Sequence, residues 1–234
     1  MGLLEAAVFC YESAVLAKVA GADRLEVCED YANGGFTSSA EYVMKTRELG
    51  DIGMFVMIRE RVDNFVYTRA DLEKMLKDIE LFKSYKVDGF VYGGLDTNRN
   101  VNFEYAKEII EAATPLPVTF HRAFDLCEDL LRASEEIAEL GFKRILTSGG
   151  KQNAYEGRFV IQDLINRYGE RIIFIPGGGI RKNNVSEIEK VTKAKEFHTA
   201  GITDKGTGSN MLISLEEIRA VSYTHLTLPT NREV

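Results

Sequence analysis

Cysteine is scarce in this chain. Cys10, Cys28 and Cys127 make an odd number, and no Cys-x-x-Cys occurs. That argues against a disulfide framework and a structural zinc site, and fits a reducing compartment. No apolar run reaches the roughly 18 residues a membrane-spanning helix needs. The stretch from Met1 to Phe9 lacks the basic segment and long apolar core of a secretory signal, so a cytoplasmic protein is expected. Basic residues are outnumbered, 29 Lys and Arg against 36 Asp and Glu, for a net charge of −7. The charges are interspersed, with no basic stripe and no polybasic cluster. Neither nucleic acid nor a membrane surface is an expected partner.

What is present is ample apolar material and a regular alternation. The 234 residues are 45% hydrophobic, enough for one sizeable core. Short apolar runs at Leu3–Phe9, Arg24–Cys28, Met54–Ile58, Val87–Tyr92, Pro117–Phe120, Arg144–Leu146, Ile172–Ile175 and Glu196–Thr199 read as strands. Segments with helical spacing follow each of them, such as Leu72, Met75, Leu76, Ile79 and Phe82. Ser38 with Glu41, Asn184 with Glu187, and Ser214 with Glu217 are capping signals. Strict alternation implies a parallel sheet, and eight units in this length imply a single α/β (β/α)8 barrel, the TIM-barrel architecture. A doubly wound sheet is the alternative. Its glycine fingerprint would follow the first strand, where Phe9-Cys10-Tyr11-Glu12 stands instead. The barrel domain is expected over residues 1–221. Residues 222–234 are threonine-rich without helical periodicity and read as a non-native tail that truncates the last helix, with His225 carrying no function.

In such barrels chemistry sits at the C-terminal strand ends. The period of two points Glu5 and Ala7, Glu26 and Cys28, Met57 and Arg59, Thr119 and His121, and Glu196 and His198 inward. Buried charge of this kind is tolerated only when paired, so an ion-pair network is one reading and a convergent site the other. The focal stretch is Thr119-Phe120-His121-Arg122-Ala123-Phe124-Asp125, where a strand delivers a histidine to its own tip. Arg59 suits pairing with Glu26 as well as it suits holding an anion. Two late loops, Thr147-Ser148-Gly149-Gly150 and Gly177-Gly178-Gly179-Ile180, offer backbone N–H groups that can cradle a phosphate or carboxylate.

Several of these motifs resemble the CutC family of copper homeostasis proteins. The matching stretches are Val27-Cys28-Glu29-Asp30 through Gly34-Gly35-Phe36-Thr37-Ser38, Met57-Ile58-Arg59, Asp88-Gly89-Phe90-Val91, Thr119 to Asp125, Arg144 to Gly150, Gly177 to Ile180, and Glu196-Phe197-His198. They cover about residues 3 to 221 in order. The resemblance implies a (β/α)8 barrel, a cytoplasmic protein linked to copper tolerance or trafficking, and a homodimer or homotetramer. It also implies copper(I) held by one cysteine near the end of the first strand and one at the end of the second. Cys28 matches the second; Ala7 stands at the first, with Cys10 three residues later.

Two functions are therefore expected. One is a copper homeostasis protein with Cys28 as the metal ligand, helped by Met57 or His121. The other is an enzyme doing acid–base chemistry on a small anionic molecule. In that reading Glu26, Arg59, His121, Arg122 and His198 do the chemistry. Glu5, Asp125, Thr147, Ser148, Gly149, Gly178 and Gly179 hold the substrate. A variant places manganese or zinc among Glu5, Glu26, His121 and His198.

Overall fold

A computed structural model describes residues 2–61, 64–203 and 212–226, with side chains described up to residue 222. Eight strands alternate with eight helices. The strands are β1 (Leu3–Val8), β2 (Arg24–Val27), β3 (Gly53–Met57), β4 (Gly89–Tyr92), β5 (Val118–Phe120), β6 (Arg144–Thr147), β7 (Ile173–Pro176) and β8 (Glu196–Thr199). The helices are α1 (Tyr11–Val19), α2 (Ala40–Arg47), α3 (Arg69–Ser84), α4 (Phe103–Ala113), α5 (Leu130–Leu140), α6 (Ala154–Tyr168), α7 (Val185–Thr192) and α8 (Leu215–Leu226). All strand pairs are parallel, and the sheet runs β7-β6-β5-β4-β3-β2-β1-β8. This is the (β/α)8 barrel expected from the alternation. β8 pairs with β1 in register from Leu3 opposite Glu196 to Ala6 opposite Thr199, which brings the chain's two ends of sheet together.

The period of two sorts the side chains as expected. Leu25, Val27, Val56, Phe90, Phe120 and Ile145 face the helices in the main core. Ala7, Cys28, Phe55, Met57 and Val91 form a smaller apolar cluster inside the cylinder. Inward polar residues sit above and below that cluster.

The helix ends differ in detail from the capping signals. The residue that precedes α2 is Ser39, not Ser38, and its side chain makes no cap. Its N–H and hydroxyl both donate to Glu29 Oε1, at 2.9 and 2.7 Å, so a loop carboxylate has taken the hydroxyl a cap would use. Asn184 Oδ1 accepts from Arg181 N at 2.8 Å and leaves α7 without a side-chain cap. Ser214 behaves as expected, with its Oγ accepting from Glu217 N at 3.2 Å.

The last helix is longer than the sequence suggested. It continues through Leu226 instead of stopping near Val221. Ser222 is buried and its hydroxyl donates to Gly21 O at 3.0 Å, pinning the helix to the start of the second unit. An established helix propagates by one backbone bond per residue and needs no apolar periodicity to do so. The His225 side chain and residues 227–234 lie outside the described part of the structure.

Candidate functional site

The inward polar residues form three layers. The lowest is an ion-pair group. Glu196, at the start of β8, accepts from Arg24 at 2.6 Å and from Arg144 at 2.9 Å. Both guanidinium groups stack on the Phe55 ring. Glu196 therefore belongs to the floor of the barrel and not to its mouth. Arg24 was missed in the sequence, although it shares its inward parity with Glu26 and Cys28.

Arg24 also reaches upward to Glu5 Oε2 at 2.5 Å. Glu5 Oε1 meets His198 Nδ1 at 2.8 Å, and His198 Nε2 lies 3.7 Å from Glu26 Oε2. Burial alone would raise the Glu5 carboxyl. The Arg24 guanidinium, with His198, overcomes that and holds it at about 2. Glu26 lacks such a partner. Burial, only partly offset by His198 and reinforced by the Glu5 charge, pushes it up to about 7. His198 is buried too, but ionised Glu26 and Glu5 overcome the desolvation and raise it. The result is a line of one fixed carboxylate, one imidazole and one carboxyl that titrates near neutrality.

Facing oxygen and nitrogen atoms of Glu5, Glu26 and His198 all lie within 4.8 Å of one another, close enough for a divalent cation. His121 is not among them, so the four-residue metal centre is not assembled. The Arg24 guanidinium already supplies the positive charge that Glu5 needs. The cluster reads as an ion-pair relay.

The top layer opens into a cavity of about 300 Å3 lined by Glu26, Arg59, His121, Arg122 and His198, among others. All five residues assigned to chemistry from the sequence thus converge on one space. Gly178 and Gly179 line it as well. Phe65 and Arg181 are further lining residues that sequence reading missed, because they lie in loops without periodicity.

His121 directly follows β5 and is buried. Its Nδ1 accepts a hydrogen bond from Ala123 N at 3.1 Å, and Phe65 packs against the ring at 4.8 Å. A Cβ at Gly93 would lie 2.4 Å from Nδ1, so the close approach of β4's loop requires glycine there. Burial, then the charge of Arg59, lowers the imidazole to about 3. The ring is neutral at physiological pH. Since Nδ1 accepts, the proton is on Nε2, which makes Nε2 a donor.

Arg59 does not pair with Glu26. It donates to the carbonyls of Asn33, Gly35 and Arg61 and lies between the Phe36 and Phe65 rings. Its charge is thereby fixed at the rim. Arg122 is held by Asp125 Oδ2 at 2.8 Å and by Ser148 Oγ at 2.9 Å, with its guanidinium over Gly178.

The first glycine loop departs from expectation. Thr147, Ser148 and Gly150 do cradle a carboxylate, but it is the chain's own. Asp125 accepts from Thr147 Oγ1 at 2.5 Å, from Ser148 N at 3.0 Å, from Ser148 Oγ at 2.9 Å and from Gly150 N at 3.1 Å. Gly149 N is taken by Thr147 Oγ1 at 2.8 Å. These residues and Asp125 position Arg122 and do not line the cavity. Of the residues expected to hold a substrate, Gly178 and Gly179 line the cavity, beside Arg122.

Cys28 is buried beneath the cavity, in the cluster with Met57 and Ala7. Burial and the nearby Glu26, Glu5 and Glu29 carboxylates push its thiol well above its ordinary range. It is held as a thiol. Cys10 belongs to a shallow outer groove with Tyr11, Glu12 and Lys45, not to the barrel mouth.

Two atoms of residues that line the cavity stand out. Glu26 Oε1 and His121 Nε2 are buried, and neither has a hydrogen-bond partner among the described residues. Buried polar groups without partners are uncommon and costly.

The profile of the CutC family matches residues 3–203. A CutC family protein of Parabacteroides distasonis is 44% identical over 190 residues, covering 81% of this chain and 78% of the relative. A human protein named copper homeostasis protein cutC homolog is 40% identical over 206 residues, covering 88% and 76%. A crystal structure of CutC from Streptococcus agalactiae superposes with a TM-score of 0.82 at 30% identity, covering 87% of this chain and all of that one.

Proposed function

The chain belongs to the CutC family, and from that premise we propose that its barrel mouth binds a small anionic molecule and moves a proton on it. The observation that carries this reading is the pair of buried, unpartnered atoms, Glu26 Oε1 and His121 Nε2, carried by two residues that line one cavity. One is an acceptor or acid and the other a fixed neutral donor. A ligand with a polar reacting centre satisfies both. Glu26, near its midpoint at neutral pH, suits general acid–base work. His198, tied to Glu5, is its proton partner. Arg122 and Arg59 supply the positive charge that draws an anion.

The name shared with the family's relatives points to copper. The donors present here do not fit copper(I), which favours soft thiolate and thioether ligands. Cys28 is one thiol among carboxylates that oppose its ionisation, and Ala7 stands where the family pattern implies a second cysteine. A role in copper homeostasis through this fold is then better served by the polar mouth than by the thiol. Placement in the cytoplasm and assembly into homo-oligomers belong to the same proposal.

A thermal-shift screen of phosphorylated and carboxylated metabolites tests it. Ligands should raise the melting temperature by mass action. The shift should be lost in Arg122→Ala and in His121→Leu. Hits that persist unchanged in both variants would place the ligand elsewhere and end this reading.

A further inference from the structure

The mouth is asymmetric in a way that defines a substrate. Its anionic end and its proton-moving end are supplied by different strands. Arg122 lines the cavity, with its Nε and Nη2 held by Asp125 and Ser148. Gly178, with φ at +85°, lies directly under that guanidinium, and a Cβ there would come within 2.9 Å of it. Together they form one anion-holding corner at the late loops, where barrels of this architecture commonly hold phosphate. Glu26 comes from β2 and His121 from the tip of β5, so two different sectors of the barrel line the same space with a residue that carries an orphaned polar atom. Leu146, Met57 and Ala7 give that space an apolar lining that disfavours bulk water. A volume of about 300 Å3 is at the small end for ligand pockets and fits a compound of about three or four carbons with its head group.

We propose that the mouth takes a short α-hydroxy carbonyl compound with a terminal phosphate, and that Glu26 and His121 interconvert it with its enediolate. This rests on the acid–base reading above and names its substrate class. The step is balanced within the substrate. The Glu26 carboxylate removes a proton from the carbon beside the carbonyl. The C–H electron pair becomes the new C=C bond, and the carbonyl π pair moves onto oxygen. His121 Nε2–H donates to that oxygen as charge develops. Glu26 then returns a proton to the same carbon, or to its neighbour after the hydroxyl proton has crossed between oxygens. In the second case one carbon is oxidised as the other is reduced, and no external oxidant enters. A neutral imidazole that can only donate suits this role, since it meets developing negative charge without giving up its proton. The carboxyl must both take and return a proton, which matches a group that titrates near neutrality.

The test uses the full chain with two probes. Dihydroxyacetone phosphate is incubated in D2O and followed by proton NMR for loss of its C–H signals. Binding of 2-phosphoglycolohydroxamate, an enediolate mimic, is compared by calorimetry with binding of inorganic phosphate. Exchange above the uncatalysed rate is expected, as is hydroxamate affinity at least about 100-fold above that for phosphate. Glu26→Gln should slow exchange by about 100-fold or more yet still bind phosphate. Glu26→Asp, which keeps the acid, should exchange slowly and covers the case in which the glutamine variant does not fold. His121→Leu should weaken the hydroxamate and leave phosphate affinity intact. If phosphate binds and depends on Arg122, but no exchange occurs and the hydroxamate gains nothing, enolisation is overturned while the anion site stands. If neither phosphate nor the hydroxamate binds, the anion site falls and this proposal with it. A carboxylate-ended analogue that outcompetes the phosphate compounds would overturn the phosphate assignment.

Discussion

Glu26 and Glu5 are the same residue type on adjacent strands, both inside the barrel, and they titrate on opposite sides of their ordinary value. The difference is Arg24, which bonds Glu5 and leaves Glu26 Oε2 to face the His198 imidazole at 3.7 Å and the weak Cys28 thiol donor at 4.0 Å. The consequence for stability is readable. Glu26 in the folded chain holds its proton up to about 7, whereas an unfolded glutamate releases it near 4.5. Between those values the folded state binds more protons, so this residue's contribution to stability is fully present below the lower value and is lost as pH rises through the upper one. Glu26→Gln removes the titration. Urea unfolding at pH 5 and pH 8 should show the variant gaining about 2 kcal/mol relative to the parent over that interval. An unchanged difference would mean that Glu26 is ionised in the fold across the whole range. The inward position of Glu26 and His198 was legible from the period of two. Their unequal protonation was not, because it depends on Arg24 and on burial, which no local pattern states.

At the scale of elements, the loop after β5 and the loop after β6 are locked by one carboxylate. Asp125 gathers donors from Thr147, Ser148 and Gly150 while it also holds Arg122. The glycine-rich stretch was recognisable as an anion cradle from its sequence. That its anion lies in the same chain was not, because the partners are separated by more than twenty residues and meet only when β5 and β6 pair. The arrangement makes a distinctive prediction. Asp125→Ala should lower the melting temperature by leaving these donors without an acceptor, a loss of about 1–3 kcal/mol. Added acetate or formate should restore part of it, and far more in the variant than in the parent. Equal shifts in both proteins would show that the cradle collapses when Asp125 is removed. The capping signals show the same limit. Ser214 capped its helix as its sequence suggested, whereas Ser39 was captured by Glu29, ten residues away.

At the scale of the molecule, the barrel is a sheet of eight strands whose last seam carries side-chain bonds at its mouth. Seven neighbouring pairs have a defined parallel register. β7 and β8 meet at the ends of the strand order, and side chains join them at the mouth. Thr199 Oγ1 donates to Ile180 O at 2.9 Å. Arg181, directly after that carbonyl, donates to Thr199 Oγ1 at 3.2 Å and to Ile202 O at 3.0 Å. The eightfold alternation of the sequence was enough to imply a barrel, but not to find the side chains that cross its last seam. Stability is not uniform across a fold, and a region that loses cross-strand bonds opens locally before the rest. Arg181→Leu keeps the apolar stem and removes the two donors that cross the seam. Native-state hydrogen exchange should then show β7 and β8 amides losing about tenfold in protection, equivalent to roughly 1.4 kcal/mol, with β3 and β4 unchanged. A uniform loss around the barrel would instead mean that it opens only as a unit and that the seam is no weaker than its neighbours.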